Sequence, residues 1–182
     1  MENKKKTVLI TGATSGIGYE LAKIFAKEGY NLIIVARNSQ VLEARAREFA
    51  NYNVDIFPIV KDLFETNAAS DVYSEIKEKG LTVDILVNDA GQGVYGPLTE
   101  TDLQRQLQII QLNVNSLTVL TYLFLKDMLA RNEGKILQLG SIVSEVPAPL
   151  QSVYGGTKAY VLSFSEAIRN EVKDTNITVT VL

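Results

Sequence analysis

The sequence predicts an α/β fold, a Rossmann-like doubly wound parallel sheet with helices on both faces, in a single domain over residues 1–182. Three observations predict it. Short apolar, β-branched runs alternate with segments of helical period. Most of these runs are apolar throughout instead of alternating, as strands covered by helices on both faces must be. The first run passes directly into a glycine-rich turn and a helix, the arrangement with which doubly wound folds hold an anion.

Residues 7–10 (T-V-L-I) read as a buried strand, and 16–28 as a helix with Ile17, Leu21, Ile24 and Phe25 on one face. A strand at 31–35 and a helix at 40–50 follow, then a strand at 54–60 and a helix at 67–79. A fourth strand covers 83–87, a long helix 102–129 and a fifth strand 135–139. A helix at 152–172 and a sixth strand at 177–182 complete the chain. Right-handed crossovers between successive parallel strands then give the doubly wound topology. No internal repeat, low-complexity tract or linker divides it.

Composition narrows the function. The net charge is -3, so the chain lacks the basic footprint of a nucleic-acid binder. Lys4-Lys5-Lys6 reads as a solvated tip ahead of the first strand. No signal-peptide pattern follows it, and no apolar run reaches the ~20 residues that span a bilayer. The expected location is the cytoplasm, with neither membrane nor nucleic acid as partner. Cysteine and histidine are both absent, which removes thiol nucleophiles, the usual general base and the commonest zinc ligands. Acid–base work near neutral pH must come from Tyr, Lys, Asp or Glu.

The turn after the first strand is Thr11-Gly12-Ala13-Thr14-Ser15-Gly16-Ile17-Gly18. Glycines there permit a tight turn and close backbone approach to a pyrophosphate, and the helix N-terminus offers unpaired N–H groups. The spacing is G-x-x-x-G-x-G; an ordinary glycine-rich turn is the plainer alternative. The second strand runs into Ala36-Arg37-Asn38, with no acidic residue from Asn31 to Gln40. An acid at this place accepts from the ribose of NAD, whereas Arg accommodates the 2′-phosphate of NADP, so Arg37 points to NADP(H). Tyr154 and Lys158 stand four apart on one helical face. Free tyrosine ionises near ~10, and a neighbouring ammonium favours its phenolate, so this pair can move protons without histidine. Ser141 lies at the end of the fifth strand, on the side where such sheets hold ligands, or else caps a loop.

Together these residues resemble the short-chain dehydrogenase/reductase family over essentially the whole chain. Thr11 to Gly18 is similar to its T-G-x-x-x-G-x-G, and Tyr154 and Lys158 to its Y-x-x-x-K. Ser141 precedes the tyrosine by thirteen residues, close to the family spacing. Asn113 falls in the long helix where the family carries a fourth catalytic residue. Asp62-Leu63 resembles the adenine-contacting pair, and Val87-Asn88-Asp89-Ala90-Gly91 resembles N-N-A-G. The resemblance implies hydride transfer between NADP(H) and a carbonyl or alcohol, with Asn113, Ser141, Tyr154 and Lys158 as catalytic set and no metal. It implies cofactor contacts from Gly12, Thr14, Ser15, Gly16, Ile17, Gly18, Arg37, Asn38, Asp62, Leu63, Asp89, Ala90, Gly91, Tyr154 and Lys158.

Two departures stand out. Asp89 occupies a place where the family usually has Asn, and an ionised carboxylate cannot donate a hydrogen bond. The sequence also stops at Leu182, on the sixth strand, where the family continues into a Pro-Gly turn, a substrate loop and a seventh strand. The expectation is that this chain lacks the last strand, holds the nicotinamide loosely and turns over slowly. An NADP(H)-binding protein without catalysis, or an inactive fragment, is the alternative. Val143, Val146, Pro147, Pro149 and Leu150 suit an apolar carbonyl substrate, or simply pack a loop. Helix 152–172 offers Tyr160, Val161, Phe164 and Ile168 to the sheet and to a second subunit, which predicts a homodimer or homotetramer.

Overall fold

The computed structural model describes residues 5–182, so Lys4 of the basic run lies outside the described residues; Lys5 and Lys6 are exposed. Strands β1 (Thr7–Thr11), β2 (Asn31–Ala36), β3 (Ile56–Val60), β4 (Ile85–Asn88), β5 (Gly134–Gln138) and β6 (Ile177–Val181) form one sheet. Its order is β3-β2-β1-β4-β5-β6, parallel throughout, so the winding reverses between β1 and β4. The helices are α1 (Gly16–Lys27), α2 (Ser39–Ala50), α3 (Ala68–Glu78), α4 (Leu103–Ile110), α5 (Leu117–Arg131) and α6 (Ser152–Glu171).

The period of two along each strand feeds two cores. Val8, Ile10, Leu32 and Ile34 meet Ala22 and Ala26 of α1 and Leu42 and Phe49 of α2 on one face. Leu9, Ile33, Val35 and Leu86 meet Val72 and Ile76 of α3, Phe124 and Met128 of α5 and Ile168 of α6 on the other. This is the predicted doubly wound sheet. β6 pairs with β5 alone and forms one edge, with Ile177 and Val179 buried and Thr178 and Thr180 exposed.

Two strands are shorter than their apolar runs. Val54 and Val83 are buried, yet both stand in the approach to a strand, outside the ladder. The long helix is broken where the sequence reads as continuous: a π-helical turn at Gln111–Ser116 separates α4 from α5. Such turns widen the backbone spiral and recur at functional sites. Taken as one segment, Leu103–Arg131 is long and apolar enough to cross a membrane, which corrects the reading that no such run exists. In this fold Leu120, Phe124 and Met128 of that segment pack with Leu86 and Ile136 of the sheet.

Candidate active site

A cleft of about 760 Å³ lies over the carboxyl ends of the strands, where the winding reverses. It is lined by the residues just after β1, β2, β3, β4 and β5 and by the first turns of α6. Of the sequence-predicted contacts, Gly12, Thr14, Ser15, Gly16, Ile17, Arg37, Asp62, Leu63, Asp89, Ala90, Gly91, Tyr154 and Lys158 line it. Gly18, Asn38, Asn113 and Ser141 stand behind or beside it.

The glycine loop fits an anion. Gly12 and Gly16 hold φ of 74° and 58°, the left-handed region that side chains avoid. A Cβ at Gly16 would meet nothing within 4 Å, so backbone there faces open cleft. The Ser15 side chain leaves the N-terminus of α1 uncapped, and no acid occupies its first turn. The Gly18 N–H favours the Asp89 carboxylate, while those of Gly16 and Ile17 remain free for a phosphate. Gly18 acts from behind: a Cβ there would come within 2.7 Å of the Gly12 carbonyl oxygen. Thr11 ties the loop to the segment after β4, its hydroxyl accepting from Asp89 N and Ala90 N at 3.1 Å each.

At the end of β2, Arg37 is exposed and has no ion-pair partner among the described residues. Its guanidinium lies 5.5 Å from the ring centre of Phe64. Asn38 is used differently: its Oδ1 caps α2 by accepting from Val41 N at 3.0 Å. Asp62 Oδ1 accepts from Phe64 N at 3.1 Å, and Ser116 donates to Leu63 O at 2.7 Å, which fixes the wall after β3.

The other end of the cleft holds the proton-moving groups. Lys158 is buried and its Nζ donates to Leu139 O at 2.6 Å, 5.8 Å from the ring centre of Tyr154. Burial lowers the Lys158 pKa, and the Asp89 carboxylate opposes that shift. Tyr154 packs on Gly93, where a Cβ would come within 2.9 Å of the ring. Asn113, in the π turn, accepts from Gln92 N at 3.0 Å and donates to Gln92 O at 2.9 Å. It also donates to Thr157 Oγ1 at 3.0 Å, and Thr157 donates to Tyr154 O at 2.7 Å. Asn113 thus pins the segment after β4 to the helix that carries Tyr154. Ser141 follows the cleft residues Leu139 and Gly140 and starts the 3₁₀ turn Ile142–Ser144. Its hydroxyl accepts from Val143 N at 3.4 Å, which leaves its own proton free to donate.

Asp89 is half-buried between the glycine loop and Lys158. Burial raises its pKa to about 6, against the Gly18 amide and the Lys158 charge, which both favour the carboxylate.

The sequence reading missed Lys61, Phe64, Gln92 to Tyr95 and Gln151, all of which line the cleft. Phe64 directly follows Asp62-Leu63, and Gln92 directly follows Gly91, so extending those two segments would have found both. Arg105 carries no local signal: from α4 it reaches the Gln92 side chain and stands 4.9 Å from the Phe64 ring centre. The apolar residues Val143, Val146, Pro147, Pro149 and Leu150 do not line this cleft, and Val146 and Leu150 are exposed. On α6, Val161 and Ile168 are buried in the core, while Tyr160 is exposed and Phe164 partly so.

A family profile described as short chain dehydrogenase matches residues 6–182. A very-long-chain 3-oxoacyl-CoA reductase of Coprinopsis cinerea is 36% identical over 176 residues, 94% of this chain and 51% of that protein. The chain thus spans about half the length of that curated relative. Among solved structures, a bulky-bulky ketone specific alcohol dehydrogenase from Comamonas testosteroni is 32% identical with a TM-score of 0.91, covering 97% of this chain and 71% of that one. A short-chain dehydrogenase from Sphingobium yanoikuyae in complex with NADPH has the same identity of 32% and TM-score of 0.91, covering 97% and 69%.

Proposed function

Since the chain belongs to the short-chain dehydrogenase family, we propose that it is an NADP(H)-dependent oxidoreductase interconverting a carbonyl and an alcohol. One observation carries this reading: Tyr154 and buried Lys158 line the same cleft as Arg37, which has no ion-pair partner among the described residues. The uncapped N-terminus of α1 and Gly16 would take the cofactor diphosphate, Arg37 its 2′-phosphate, and Asp62, Leu63 and Phe64 its adenosine. The bound nicotinamide supplies or accepts the hydride. Binding of NADPH by the Sphingobium relative supports the choice of cofactor.

In reduction Tyr154 gives its phenolic proton to the carbonyl oxygen; in oxidation it takes the alcohol proton back. Lys158, held by Leu139 O, keeps a positive charge beside the phenolate left behind. Ser141 donates to the substrate oxygen, a preset donor where negative charge develops. Asn113 keeps Gln92 and the Tyr154 helix in register. An apolar carbonyl substrate is supported by the relatives named for bulky ketones and very-long-chain acyl groups. Assembly into a homodimer or homotetramer is supported by Leu103, Leu107 and Ile110, an exposed apolar stripe along one side of α4.

The test is NADPH oxidation against bulky ketones and 3-oxoacyl thioesters, with Tyr154→Phe as comparison. Loss of a general acid costs on the order of 10²–10⁴ in rate. The variant should lose nearly all turnover and still bind NADPH; parent-like rates in Tyr154→Phe overturn the assignment.

A further inference from the structure

The Asp89 carboxylate stands where no phosphate-binding loop benefits from a negative charge. Its Oδ2 lies 3.0 Å from the point where a Cβ of Gly12 would stand, and 2.4 Å from the corresponding point at Gly18. It is therefore lodged against both glycines that shape the loop, on the wall of the cleft itself. The Gly12 carbonyl oxygen presses on the same point at Gly18, at 2.7 Å. A protonated carboxyl in this position can donate to a neighbouring oxygen; an ionised one can only accept. The Gly18 amide donates to it from α1, and Lys158 faces it from α6. Thr11 of β1 contributes only a neutral hydroxyl, bonded to the backbone of Asp89 and Ala90. Lys158 is thus the one charged group acting on Asp89 among the described residues, and it is held by Leu139 O.

We propose that Asp89 couples cofactor binding to proton uptake, the loop accepting the anionic dinucleotide in the form where the Asp89 carboxyl is protonated. The inference rests on the dinucleotide reading above and deepens it. In the free protein Asp89 titrates at about 6, mainly because burial penalises its charge. A diphosphate brought to the same loop adds like charge and raises that value further. Below the free-protein value the carboxyl is already protonated, and binding needs no proton. Above it, binding must draw one from solvent, so affinity falls as pH rises, levelling off above the value in the complex. A rise of one unit on binding corresponds to about a tenfold loss of affinity across this window and an uptake of about half a proton near pH 6.5.

The experiment is isothermal calorimetry of the full chain with NADH and NADPH, from pH 5.5 to 8.5, in buffers of different ionisation enthalpy. NADH is included because it lacks the 2′-phosphate, which itself titrates in this range. Proton uptake with both cofactors, and an affinity that falls with pH, are expected for the parent. Asp89→Asn, which keeps the shape and cannot ionise, should bind more tightly above pH 7 and take up no proton. Binding without uptake in the parent overturns the proposal and leaves the dinucleotide reading standing. Uptake that persists in Asp89→Asn and vanishes in Lys158→Met assigns the proton to the lysine and also overturns it. Absence of binding at every pH overturns both.

Discussion

Gly18→Ala tests whether the loop is closed as tightly as its geometry requires. The added methyl would lie 2.4 Å from Asp89 Oδ2, 2.7 Å from Gly12 O and 3.0 Å from Gly12 C. The aspartate can swing aside, but the Gly12 peptide is backbone and is itself held by a 3.0 Å bond from Gly12 N to Val35 O. Overpacking of this kind costs roughly 1–3 kcal/mol, and a backbone neighbour places it in the upper part of that range. Alanine returns up to about 1 kcal/mol through helix propensity. The net loss is about 1–2 kcal/mol, equivalent to a fall in Tm of roughly 2–8 °C for a chain of this size. Denaturant unfolding should show a lower midpoint at unchanged slope. NADPH affinity should fall as well, since the peptide that moves belongs to the loop. Gly156→Ala is the control: it lies in α6 with nothing within 4 Å of an added Cβ, and should stabilise by about 1 kcal/mol or less. A Gly18→Ala protein as stable as the parent, with parent affinity, would refute the packing argument.

Asp89→Asn carries a second expectation in the unliganded protein. Because burial raises the Asp89 pKa from 3.8 to about 6, folding takes up a proton and the cost of ionising Asp89 grows as pH climbs through that interval. The variant should match the parent near pH 4 and exceed it by roughly 1–2 kcal/mol above pH 6, the shift being partly screened by solvent at this half-buried carboxyl, read by thermal unfolding across pH; a constant difference would contradict it. Leu107→Glu, in the exposed stripe of α4, should reduce the mass seen by light scattering to that of one chain without lowering Tm much, and a parent protein that is already monomeric would refute the assembly.

What could be read from sequence follows from what leaves a local mark. The six strands were legible because most of the runs are apolar on both faces, as Ile33 and Ile34 are, while β6 shows the alternation of an edge. Tyr154 and Lys158 were legible because a spacing of four places both on one side of a helix, and both line the cleft. The strands begin later than Val54 and Val83, since burial in the approach to a strand looks like burial in the strand itself. The π turn around Asn113 left no mark, because one wider turn hardly disturbs the period of a long apolar helix. Arg105 was invisible for a different reason: its position beside Phe64 depends on how α4 sits against the segment after β3, which is a tertiary fact. Asp89 was seen as a departure, but its raised pKa comes from burial that only the fold reveals.

In the proposed function, Arg37 selects a dinucleotide carrying a 2′-phosphate. With eight tyrosines and no tryptophan, energy transfer from tyrosine to the reduced nicotinamide gives a direct titration signal. NADPH and NADH should be titrated into the parent and into Arg37→Ala at one pH and low salt. Loss of a charge-assisted bond is worth roughly 1.5–3 kcal/mol, so the parent should favour NADPH by at least about tenfold. Arg37→Ala should lose that preference by weakening NADPH alone. Equal affinity of the parent for the two cofactors, or an unchanged preference in Arg37→Ala, would contradict this role of Arg37.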